Sequence, residues 1–373
     1  MNKRSHTLNL YTPNTTITNT DQHPQQDRLS SLPDILLILI LSLIDTKLAV
    51  QTSTLSKRWL NLWTLLPILN FDSTSFPLNH TFDSFINNVL THRNKSIKLE
   101  AVNIKVTDYD TMDRVYNYAL LNHVLCLSVD CSDYLTKYRQ LSCLNPSDCL
   151  TSFRLKGMLE FSGCLRFSGL VKLWLERVKL VETEPFSGFV KLRDLSLVNC
   201  KMGYDLGGVE LAGFELERLR VSSCFYHPIP YEKVVVLAPK LVVLEIEGLI
   251  PMEFEACEFP RLETVHVDCC FSFGRVADRN VQQQQPDEEE QKVNLIRMLW
   301  CVRNAKCIHL SPSTVKLLTL SESKLVEEPC PFVNLKVLNL IPPPNKPVGE
   351  LPSSVATYLL KGSPGVVVKS LPR

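Results

Sequence analysis

An α+β (α/β) solenoid with a small three-helix unit in front is the fold class the sequence predicts, and three observations predict it. A leucine pattern, L-x-x-L-x-L, opens at Leu150, Leu170, Leu192, Leu216, Leu241, Leu262 and Leu335, with steps from 150 to 262 of 20, 22, 24, 25 and 21 residues. One such strand cannot bury its apolar side alone, so the copies must stack into a shared core and a parallel sheet. Ahead of them, "LPDILLILILSLID" (32–45) is apolar nearly all round, a helix that has to be covered on several sides. Behind them, "LPSSVATYLLKGSP" reads as a helix capping the open end of the stack. Ser353 or Ser354 is its expected N-cap, and Gly362 with Pro364 its stop.

The elements follow in order. Residues 1–26 are rich in Asn, Thr and Gln with little apolar periodicity, which predicts a disordered tail. A helical region runs from about Leu32 to Leu66. After Asp45, "TKLAVQTSTL" and "SKRWLNLWTLL" read as two more short helices, the second capped by Ser56. Trp59, Leu62, Trp63 and Leu66 recur there at helical spacing, and Lys57 and Arg58 are read as solvated. Residues 73–120 form a linking α/β segment that opens the solenoid. In it "NHTFDSFINNVLTHR" carries Phe82, Phe85, Ile86, Val89 and Leu90 at helical spacing. "IKLEAVNIKV" alternates like a strand, with Val102, Ile104 and Val106 on one face, and "DTMDRVYNYALL" is a second helix. The repeats occupy 121–340, with degenerate copies at "HVLCLSV" and "AKCIHL". An acidic, Gln-rich insertion at 278–292 is read as solvated. Residues 341–373 hold a linker, "IPPPNKP", and the capping helix.

The apolar helix cannot span a bilayer. Ten residues reach roughly 15 Å, against about 30 Å of hydrocarbon. Some thirty polar residues precede it, so it does not fit a secretory signal either. With 40 basic and 39 acidic residues in 373, the chain lacks the basic excess of a dedicated nucleic-acid binder. No nucleic-acid or membrane partner is expected. The 13 cysteines show no C-x-x-C spacing and read as reduced thiols in a cytoplasmic and/or nuclear protein. The sequons at Asn14, Asn79 and Asn94 read as chance matches. No G-x-S-x-G, P-loop or H-E-x-x-H occurs, so no catalytic residue, metal or cofactor is expected.

A module of three helices in some 35 residues is too small to be stable alone. Its apolar helix therefore expects a partner groove. The stretch "DRLSSLPDILLILILSLIDTKLAVQTSTLSKRWLNLWTLLPILNFD" (27–72) resembles a plant F-box motif. It shares the D-R-[IL]-S-x-L-P-D opening, an I-L-x-x-I-L helix, a T-K-x-A-V-x-T-S step, L-S-K-R-W and L-W. It departs at Ile35, where the family commonly has Glu after L-P-D. The remainder, including "YLLKGSP", resembles plant F-box proteins with leucine-rich repeats. Small or apolar residues three beyond the last leucine, such as Cys200, Cys224 and Cys270, fit the Asn or Cys such a repeat carries there.

The resemblance implies a non-catalytic substrate receptor of an SCF-type, cullin-RING ubiquitin ligase. The F-box would dock on a Skp-family adaptor, with contacts at Leu32, Pro33, Ile35, Leu36, Leu39, Leu55 and Trp59. The repeats would hold the target protein. The competing reading is a repeat scaffold that acts outside the ligase. Within each repeat, the residue between the last two apolar positions should face the open side of the sheet. Arg154, Trp174, Ser196, Arg220, Glu245 and His266 should thus form one row, roughly 24 Å long at about 4.8 Å per strand. His309 and Asn339 extend it. A Trp and two Arg suit protein recognition.

Overall fold

A computed structural model describes residues 29, 31–131, 138–141, 147–161, 167–201, 208–224, 233–248, 253–256, 258–269, 288–342 and 351–370. The N-terminal tail, Cys270 and positions 278–287 of the acidic insertion lie outside them.

The leucine pattern produces its strands where expected. Ser152–Gly157, Lys172–Glu176, Asp194–Val198, Arg218–Ser222, Val243–Gly248, Thr264–Cys269, Cys307–Leu310 and Val337–Leu340 lie side by side, every pair parallel. Their apolar positions, such as Leu173 and Leu175 or Leu195 and Leu197, are buried. Five of these strands are entered by the same tight turn. Leu170, Leu192, Leu216, Leu241 and Leu262 donate their N–H to the carbonyl three residues back, at 3.0–3.2 Å. The turn leaving three of the strands repeats too: Arg177, Asn199 and Ser223, two beyond the last apolar position, have φ of 59°, 51° and 53°. Cys200 and Cys224 follow, buried, each with its thiol on the carbonyl of the previous repeat's strand, Leu175 and Leu197, at 3.4 Å. That bond satisfies a carbonyl where the strand ladder ends.

The sheet is larger than the leucine pattern alone implies. Ile68–Asp72 and Ala101–Lys105 precede the repeats, Cys126–Cys131 is the degenerate copy at "HVLCLSV", and Val367–Ser370 follows them, giving 12 strands in one sheet among the described residues. Helices Asn79–His92 and Tyr109–Leu121 make the first crossovers. They bury Phe82, Ile86 and Val89, then Val115, Tyr116 and Ala119, against the sheet. In the middle of the chain, the described residues between the repeat strands include short second strands that form two three-stranded sheets: Arg139–Gln140, Leu159–Phe161 and Lys179–Leu180, then Gly208–Ala212, Lys233–Leu237 and Glu253–Ala256. Toward the C-terminal end helices return at Glu288–Cys301, Pro312–Thr319 and Glu322–Glu327.

Three expectations are corrected. The third N-terminal helix does not form as an α-helix. Residues 57–61 are turns, and a 3-10 turn at Leu62–Leu65 starts after Asn61 with no side-chain cap, so Ser56 does not cap it. Pro67 forces Leu66 out of helical conformation (ψ 125°), leaving room only for such a short piece. The last five positions of the acidic insertion belong to the helix that starts at Glu288, and Gln291 is buried. The C-terminal helix, Ser353–Leu360, buries Val355, Tyr358 and Leu359 but begins after Pro352 without a serine side-chain cap, and a further strand follows it.

Candidate functional site

Two surfaces emerge from this frame. The first is at the N-terminal end. Helix Asp34–Ser42 buries Leu37 and Leu41 in the same hydrophobic core as Trp59, Leu62, Leu66, Leu69 and Phe71. One turn apart on the opposite side, Ile35, Leu39 and Leu43 are 74%, 58% and 76% exposed, which is the spacing of one helical face. Leu36, Ile40, Leu48, Leu55 and Leu60 are exposed apolar side chains of the same small unit. Apolar surface of this density on so few residues marks an interaction site. Of the expected contacts, Pro33, Ile35, Leu36, Leu39 and Leu55 lie on the outside, and Leu32 is half-buried against the core. Trp59, at 7% exposure, packs in the core with Leu37 and Leu62 rather than beside the exposed leucines.

Arg58 is not a free solvated side chain. It pairs with Asp34 at 2.6 Å and also donates to the Leu32 carbonyl, pinning the start of the apolar helix. Asp45 caps the next helix through the Lys47 N–H at 2.7 Å. Asn70, on the first sheet strand, donates to the carbonyls of Ser42 (3.1 Å) and Ile44 (3.0 Å). It receives Asn103 Nδ2 at 2.8 Å, and its own N–H donates to Thr46 Oγ1 at 2.8 Å. The helical unit is thus bonded to the sheet as well as sharing its core.

The second surface is the outer side of the sheet. Arg154, Trp174, Ser196, Arg220, Glu245, His266, His309 and Asn339 are direct register partners across successive strands. The row extends forward through Ser128, Asn103 and Asn70, and onward to Lys369. Ser128 stands on the degenerate copy at "HVLCLSV", and Asn70, Asn103 and Lys369 stand on strands outside the repeats, although the alternation around Asn103 could have placed one of them. Arg154 and Arg220 lie over the Trp174 ring at 4.8 and 5.9 Å. Glu176 pairs with Arg154 at 3.5 Å, and Glu245 and Glu247 with Arg220 at 3.7 and 3.5 Å. Trp174 Nε1 is buried without a hydrogen-bond partner.

Farther along, the His266 and His309 rings stack at 3.9 Å and 12°. Asn339 Nδ2 contacts His309 Nε2 at 3.3 Å and Cys307 Sγ at 3.2 Å. Burial pushes both imidazoles below their ordinary pKa. Glu245 opposes this at His266, while the neighbouring His266 adds to it at His309, which falls to about 4. Both rings are therefore neutral near pH 7, and this stretch of the row is an uncharged aromatic step. Burial raises the Cys307 thiol, so it stays protonated too.

Among the described residues, no helix is long and apolar enough to cross a membrane. An F-box domain model matches residues 29–71, the segment that carries the exposed apolar helix. An F-box/LRR-repeat protein of Arabidopsis thaliana is 28% identical over 79% of this chain and 64% of its own length. Two F-box/FBD/LRR-repeat proteins of the same plant are 39% and 41% identical over 29% and 24% of the chain, and 24% and 19% of their own lengths. The chain thus spans less than two thirds of these relatives. With an F-box match in front of a parallel sheet built by leucine repeats, the chain is similar to plant F-box proteins with leucine-rich repeats.

Proposed function

We propose that the chain is the substrate-recognition subunit of an SCF-type cullin-RING ubiquitin ligase. In this reading it contributes binding and no catalysis of its own, in the cytoplasm and/or the nucleus. The F-box surface around Ile35, Leu36, Leu39 and Leu55 takes a Skp-family adaptor, with Leu32 and Pro33 at its edge. The outer row from Arg154 to His266 takes the target protein.

The observation that carries the reading is the exposed apolar face of helix Asp34–Ser42 inside the F-box match. A chain with 21% charged residues and a well-filled core gains nothing from exposing Ile35, Leu39 and Leu43 to water unless another surface covers them. The row supports the second half of the reading. It offers one large aromatic side chain, both signs of charge and neutral imidazoles, a mixture suited to protein recognition.

Proximity labelling under proteasome inhibition tests both halves, with the full chain compared to the Ile35→Ser/Leu39→Ser variant. Removing residues 27–72 would be a poor control, because Ile68–Asp72 is a strand of the main sheet. The reading expects adaptor and cullin to label with the full chain and to drop out with the variant, while target proteins remain and accumulate.

A further inference from the structure

Asn70 stands where the two surfaces meet. It opens the outer row, whose register runs Asn70, Asn103, Ser128, Arg154, a span of about 14 Å. The same side chain holds the F-box. Its Nδ2 donates to the Ser42 carbonyl at 3.1 Å and the Ile44 carbonyl at 3.0 Å, while its Oδ1 accepts Asn103 Nδ2 at 2.8 Å. Ser42 is the last residue of the apolar helix, and the carbonyls at a helix end have no partner within the helix. An amide supplies what this place asks for, two N–H donors at one tip and an acceptor at the other.

The shared core alone leaves the helix angle open. Leu37 and Leu41 of the helix share a core with Leu69 and Phe71 of the strand, but apolar attraction follows area and has no direction. A helix can rock on such a contact with little change in buried area. Hydrogen bonds weaken steeply once bent below about 120°, so a pair of them on carbonyls two residues apart resists the rocking. The Asn70 N–H adds a third bond, to Thr46 Oγ1 at 2.8 Å, at the start of the next helix.

We propose that Asn70 is a positioning residue: it fixes the angle between the apolar face of helix Asp34–Ser42 and the outer row. What that angle serves, presenting a bound target to the ligase, rests on the adaptor reading; the angle itself does not. Asn70→Asp isolates the link. A carboxylate still accepts Asn103 Nδ2, and the backbone bond to Thr46 stays, but no donor remains for Ser42 and Ile44. Genetically encoded spin labels at Leu60, in the F-box, and Phe214, in the repeats, both exposed, report the angle in the full chain with neither adaptor nor target present. Double electron–electron resonance should give one narrow distance distribution for the parent and one at least twice as broad for Asn70→Asp. If that variant does not fold, Asn70→Ser, uncharged and too short to reach either carbonyl, should broaden the distribution alike. In a reconstituted ligase without spin labels, the variant should bind adaptor within twofold of the parent and yet spread self-ubiquitination over more lysines of the repeats. Equal distance distributions in a folded variant, or adaptor binding lost along with the angle, would overturn the proposal. A parent that binds no adaptor would remove the ligase reading and leave the distance measurement to decide.

Discussion

Arg58 Nη2 stands 2.6 Å from Asp34 Oδ1, across 24 residues of chain, and the same guanidinium reaches the Leu32 carbonyl. As an exposed pair it contributes little stability, about 0–1 kcal/mol. Its effect is local order: it fixes Leu32, Pro33 and Asp34 where the exposed apolar helix begins. Arg58→Gln should therefore lower the melting temperature by no more than a few degrees, yet weaken adaptor binding several-fold. Calorimetry beside an adaptor titration checks this. Unchanged affinity would show that the start of the helix needs no clamp.

The insertion gives a sharper length prediction than the sequence alone allows. Deleting 279–287 should change melting by only a few degrees, since loop closure depends weakly on length. Extending the deletion to 291 removes Gln291, which is buried, and Glu289, which pairs with Lys292 at 2.5 Å and Lys324 at 3.0 Å. The longer deletion should unfold several degrees lower than the shorter one. Equal melting of the two would show that the helix start carries no stability.

The stacked imidazoles predict a pH dependence. His309 takes up its proton near pH 4 in the folded chain, against about 6.5 when unfolded. The unfolded chain therefore binds more protons between those values, and stability must fall as pH drops from about 6.5 toward 4. His266 shifts in the same direction. His309→Gln should flatten that part of the curve of melting temperature against pH. A variant as acid-sensitive as the parent would remove the histidine pair as a cause.

Much of this was legible in the sequence. The leucine spacing located the repeat strands and their register, because a period of two leaves no choice about which residues go inside. Trp174, Arg220 and His266 could be aligned by counting alone. What was illegible depended on groups far apart in sequence. Arg58 looked solvated because its partners lie about 25 residues earlier. Asn70 looked like an ordinary strand residue, yet it binds both the F-box turn and Asn103. Trp59 and Leu55 were both plausible surface anchors, and only packing separates a buried indole from an exposed leucine. The third helix failed because Pro67 and a short segment favour 3-10 turns over an α-helix, a competition that apolar spacing does not report.

The central claim is that the exposed apolar face of the F-box helix is an adaptor-binding surface. The most direct test measures binding of a purified Skp-family adaptor to the full chain and to Ile35→Ser/Leu39→Ser. Both side chains are mostly exposed, so the variant should melt within a few degrees of the parent. Each lost apolar anchor should cost about 2 kcal/mol of binding, so affinity should fall about a hundredfold or more. An adaptor that binds parent and variant equally, or binds neither while the parent is folded, would contradict the account.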